Sequence, residues 1–121
     1  MTTTESNALI AEFMGLSYCD KHNYEGWYTD SEHNYRICDY DGLTYHTNWN
    51  LLMKAVTKIE LMNKDTGFMG VFTLYGLGRT KVQCYKNEQL CYEVDVIDNN
   101  YGMQPTYQAV VKFIEWFNKN K

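Results

Sequence analysis

An α+β fold, a mostly antiparallel sheet layered with three helices into an α-β-α sandwich, is predicted by three features of the sequence. Three segments carry apolar residues at helical spacing, and six short stretches rich in aromatic and β-branched residues are separated by turn chemistry. One of those stretches, "FMGVFTLY", is apolar on both sides, so a strand there needs cover on both faces.

The first helix is "TESNALIAEFMG". Leu9, Ile10, Phe13 and Met14 form its apolar stripe, Thr2 and Glu5 have capping-box spacing, and Gly15 supplies a stop. A second helix starts after Thr47 or Asn48, both good N-caps, and its spacing directs Trp49, Leu52, Met53, Val56 and Ile59 toward a core. The third follows Pro105, the only proline, and runs through Tyr107, Val110, Val111, Ile114 and Phe117.

Strands are expected at "YEGWYTD" (24–30), "YRICDY" (35–40) and "GLTYH" (42–46), with Asp41-Gly42 as turn chemistry. Three more follow at "FMGVFTLY" (68–75), "RTKVQCYK" (79–86) and "LCYEVDVI" (90–97). For the last two, a register with Cys84 opposite Leu90 and a three-residue loop at Lys86, Asn87 and Glu88 gathers Val82, Cys84, Leu90, Tyr92, Val94 and Val96 on one face. It also places Cys84 inward and Cys91 outward, against a disulfide between them.

Composition bounds the functional classes. The 121 residues make one domain, residues 1–121, and 45% hydrophobic against 21% charged residues is far from the disordered regime. A net charge of −4 with no Lys/Arg cluster disfavours extended nucleic-acid binding but leaves room for a small phosphate ligand. No apolar run reaches the roughly 18 residues of a membrane span. "MTTTESN" lacks the features of a signal peptide, so the chain is expected to stay in the cytoplasm with its four cysteines reduced. Eleven tyrosines suit interfaces as well as cores.

Several constellations have a chemical reading beside a plain one. Cys19, His22, His33 and Cys38 supply four donors suited to tetrahedral zinc, but their order is irregular, and solvated loop histidines with a small strand cysteine explain them more simply. Cys19 or Cys91 with His22, His33 or His46 lacks any local signature of a thiol nucleophile. Asp39 and Asp41, and Glu93, Asp95 and Asp98, are acid clusters; Glu93 and Asp95 share a strand face with Cys91 and read as a solvent-facing edge. "YGLGRT" lacks a third glycine and a following helix, so it is a turn, though Arg79 beyond it can reach an anion. At the start of the second helix, Asn48 and Asn50 can cap it or hold an anionic or base-bearing ligand, with Tyr45 or His46 stacking on it; capping around a buried Trp49 is the simpler reading.

"LIAEFMGL", "YHTNWNLLMKAVTKIE" and "TYQAVVKFIEWFNKNK" together resemble small bacteriophage and prophage proteins grouped as the phage ABA sandwich domain. The chain departs from that pattern at Asn50, often aspartate there, and at Lys54, often proline. The resemblance implies a helix–sheet–helix arrangement and an accessory role in an infected bacterium, and it carries over no catalytic or binding residue. The expected function is therefore a non-enzymatic, cofactor-free binding protein, an inhibitor of host defence that occupies a host protein or a small nucleotide ligand. A thiol- or zinc-dependent hydrolase and a ligand-free homo-oligomer are the alternatives.

Overall fold

The computed structural model describes residues 1–19, 27–29, 36–39, 42–75, 78–98 and 102–121. In order these form helix α1 (Thr3–Phe13), strands β1 (Ser17–Cys19), β2 (Trp27–Thr29) and β3 (Arg36–Asp39), helix α2 (Trp49–Leu61) and the single turn α3 (Asn63–Thr66). Strands β4 (Phe68–Tyr75), β5 (Arg79–Lys86) and β6 (Gln89–Ile97) and helix α4 (Gln104–Asn120) complete the chain. Two three-stranded antiparallel sheets result, ordered β1-β2-β3 and β4-β5-β6, and the α+β class is as the sequence predicts.

Helix starts follow local chemistry. The Thr2 hydroxyl accepts the Glu5 N–H and also meets the Glu5 carboxylate, and past the end of α1 Gly15 takes φ +86°, a left-handed conformation that glycine reaches without a Cβ penalty. Asn48 Oδ1 accepts the Leu51 N–H and caps α2. Helix α4 begins at Gln104, and Pro105 lies in its first turn, where a missing N–H costs nothing.

Helices α2 and α4 pack on one face of the β4–β6 sheet. Phe68, Gly70, Val82, Cys84 and Val96 are buried there, and Tyr92 stacks on Trp116 of α4 at 4.7 Å. Phe68 meets Trp116 and Phe117 edge-on at 5.6 and 5.8 Å, and Phe13 of α1 meets Phe117 at 6.0 Å, so one aromatic cluster ties α1, α4 and the sheet together. At its polar end, Thr80 and Thr106 share a buried hydrogen bond of 2.8 Å. Side chains buried as fully as Ile10, Leu52, Phe113 and Ile114 contribute about 1.5–3 kcal/mol each.

Four expectations are corrected. Residues 42–46 are not a strand: the Thr44 carbonyl takes the N–H groups of Thr47 and Asn48, closing a turn, although Leu43 and Tyr45 are buried as a strand's inward residues would be. Trp49 is 42% exposed, because the stripe of α2 is covered only from its second turn onward, at Leu52, Ala55, Val56 and Ile59. Strand β4 is covered on one side; on the other, Met69 and Tyr75 are 43% and 42% exposed, and the layer that would complete a three-layer sandwich is not formed there by the described residues.

The fourth correction is the β5–β6 register. Asn87 and Glu88, at φ 53° and 66°, make a two-residue turn that pairs Lys86 with Gln89 and Tyr85 with Leu90, after which a bulge lets Cys84 pair with Tyr92, Val82 with Val94 and Thr80 with Val96. Continued without a bulge, the turn's register would set Glu93 opposite Val82 on the core face. One extra residue at Cys91 reverses that, while Leu90, on the turn side of the bulge and paired with Tyr85, faces outward and is half exposed.

Gly70 is required for contact and not for a turn, since a Cβ there would lie 2.4 Å from Cγ2 of Ile59 in α2. Gly70→Ala is expected to lower unfolding stability by about 1–3 kcal/mol in urea titration. Ile59→Leu, which moves the branch off Cβ, should recover part of that loss.

Candidate binding surface on the open sheet face

The outer face of the β4–β6 sheet is set by the registers. Alternation and pairing place four rows across it: Tyr75, Arg79 and Ile97; Thr73, Lys81 and Asp95; Val71, Gln83 and Glu93; Met69, Tyr85 and Leu90. Apolar groups occupy the β4 column and both ends, with ionic groups between them. Each cation reaches the carboxylate one row over. Arg79 grips Asp95 through Nε and Nη2 at 2.9 and 2.5 Å, its guanidinium lying 4.4 Å from the Tyr75 ring centre, while Lys81 lies 3.4 Å from Glu93 and Gln83 donates to Glu93 at 3.0 Å.

These pairs fix the charge states. The hydrogen bond from Arg79 holds the Asp95 carboxyl below its ordinary value, and those from Gln83 and then Lys81 do the same for Glu93. Both are anions at neutral pH, whereas a hydrolase dyad needs one carboxyl raised. Neutralised among themselves, the ions leave a face with aromatic and aliphatic groups at its margins. At one end Met69 and Tyr85 also border a shallow cleft of about 610 Å³ with Asn63, Gly67, Asn87 and Glu88.

The ligand residues expected from the sequence do not converge. Tyr45 is only 2% exposed and offers no ring to a ligand, because it fills the core under the turn before α2. His46 is half buried and engaged: Asn7 of α1 donates from Nδ2 to the Leu43 carbonyl at 2.7 Å and meets His46 Nδ1 at 2.9 Å, while Tyr107 of α4 donates to Asn7 Oδ1 at 3.0 Å. The Leu43 and Tyr107 bonds fix the amide orientation, so His46 accepts at Nδ1. Burial raises the Tyr107 phenol above its ordinary value, opposed by a hydrogen bond with Ser6. Asn48 is committed to capping, Asn50 is exposed in the first turn of α2, and Arg79 sits on the sheet's outer face, already paired.

The Asn7 hub, which joins α1, the turn before α2 and α4, has no sequence signature. A lone asparagine in an amphipathic helix reads as a surface residue. On the sheet the visible signal was alternation in "LCYEVDVI", which set Glu93 and Asp95 on a polar face; their partners depended on register.

For the zinc set, His22 and His33 and the side chains of Cys19 and Cys38 lie outside the described residues, as does Asp41 and the side chain of Asp39. Among the described residues no three His, Cys, Asp or Glu side chains are grouped to hold a metal ion, and no helix is long and apolar enough to cross a membrane. Cys84 and Cys91 are free thiols, Cys91 donating to the Cys84 carbonyl at 3.2 Å. Burial pushes the Cys84 thiol up to about 12. The chain matches no family model, no characterised protein and no solved structure.

Two outcomes are expected. Asn7→Ala removes the donor to the buried Leu43 carbonyl and the nearest acceptor of the Tyr107 hydroxyl, which keeps the Thr3 carbonyl at 3.5 Å, and should cost about 1–3 kcal/mol by thermal or urea unfolding. Native protein treated with iodoacetamide at neutral pH should be alkylated at Cys91 and spared at Cys84 until denaturant is added, as read by peptide mass mapping.

Proposed function

We propose that this chain is a non-enzymatic binding protein whose contact surface is the outer face of the β4–β6 sheet, and that its ligand is another protein. The observation that carries this reading is the face itself: Met69, Tyr75, Leu90 and Ile97 stand 42–68% exposed around an internally neutralised Arg79–Asp95 and Lys81–Glu93 lattice. Aromatic, methionine and arginine side chains are the types enriched where protein interfaces concentrate their binding energy. Charges already paired within one molecule need no rearrangement when covered, and the Arg79 guanidinium over the Tyr75 ring joins the ion pairs to the aromatic margin.

A small nucleotide ligand is less well supported. Its best stacking candidate, Tyr45, is buried, and Asn48 is spent on its own helix. In the setting that the three phage-like segments suggest, the partner would be a host defence protein, which the chain would inhibit by occupying it.

Affinity purification from infected, defence-active cells, read by quantitative mass spectrometry, tests this. Tyr75→Ala and Met69→Ala, exposed changes worth within about 0.5 kcal/mol of stability, should each deplete a protein that the native chain retains, while Asn50→Ala keeps it. Retention in both sheet variants, or a rise in melting temperature with nucleotides that Asn50→Ala abolishes, would overturn the reading.

A further inference from the structure

We infer that two copies of this chain join edge to edge through β4, forming a continuous six-stranded sheet about a two-fold axis at Phe72. This does not rest on the binding reading above. Strand β4 ends the β4-β5-β6 order, and among the described residues its free edge has no backbone partner. From Phe68 to Tyr75 it holds eight residues without a charge or a proline, the devices that ordinarily blunt an edge.

Charge pattern selects which edge pairs and with what. Antiparallel neighbours lie on the same face, so a two-fold axis at Phe72 sets Met69 against Tyr75, Val71 against Thr73, Gly70 against Leu74, and Phe72 against itself. No charge is opposed to another. Aromatic and aliphatic groups meet on the outer face, and on the helix side Leu74, 45% exposed, falls across from Gly70, the glycine backed by Ile59.

The same operation on β6 is opposed near its middle. An axis at Val94 opposes Glu93 to Asp95 twice, an axis at Glu93 or Asp95 sets an acid against its own copy, and an axis at Tyr92, which avoids both, draws the bulge at Cys91 into the pairing, a device that blunts an edge. Pairing through β4 therefore consumes the open edge and leaves only guarded edges outside, so assembly closes at two and does not propagate.

Light scattering after size exclusion, with sedimentation equilibrium for the dissociation constant, tests the pairing. The native chain should be a dimer. Val71→Lys, and separately Met69→Glu, should weaken it by roughly tenfold or more with the far-ultraviolet circular dichroism unchanged. Ile97→Lys on the opposite edge should leave it intact. Hydrogen exchange of the native chain needs no substitution: alternate amides of β4 should slow as concentration rises, and those of β6 should not. A native chain that stays monomeric at high concentration, a dimer that survives both β4 variants, loss of the dimer in Ile97→Lys, or β4 exchange independent of concentration would each overturn the inference.

Discussion

The structure turns on a conflict inside one hairpin. The turn at Asn87 and Glu88 dictates one register for β5 and β6, and the apolar residues of β6 demand another. Burying Glu93 opposite Val82 would strand an ion in the core at a cost of several kcal/mol. A bulge disrupts the ladder at one position, and it is the cheaper solution. Beyond it Tyr92, Val94 and Val96 face α4, and Tyr92 stacks on Trp116.

That solution also makes the outer face. With Glu93 and Asp95 turned out, they lie within reach of Lys81 and Arg79, and the four rows of side chains fall into place. Inner and outer faces are thus two consequences of the same register. The inner one is filled by α2 and α4, with Gly70 yielding its side-chain space to Ile59. The outer one is not covered by any other element among the described residues, and Met69, Tyr75, Leu90 and Ile97 stand exposed on it.

Polar burial follows a similar economy. Asn7 serves three groups at once, giving the Leu43 carbonyl and His46 their donors and Tyr107 its acceptor, so a turn with no ladder to satisfy it can still lie under α1 and α4. No described side-chain nitrogen or oxygen is buried without a partner. At the helix start that looked like a ligand site, His46 belongs to this framework, Tyr45 is buried in the core, and Asn48 caps α2 at the surface.

Local chemistry along the chain determined a good deal: the Thr2 and Asn48 caps, the stop at Gly15, α4 from its first turn through Phe117, and the span of β4 and β5, because capping, periodicity and turn residues act over a few positions. Tertiary structure alone decided the exposure of Trp49, the turn at residues 42–46, the bulge at Cys91, the open face of β4 and the hub at Asn7. Each of these depends on what lies opposite in space, and periodicity within one segment records which residues share a side but not whether anything covers that side.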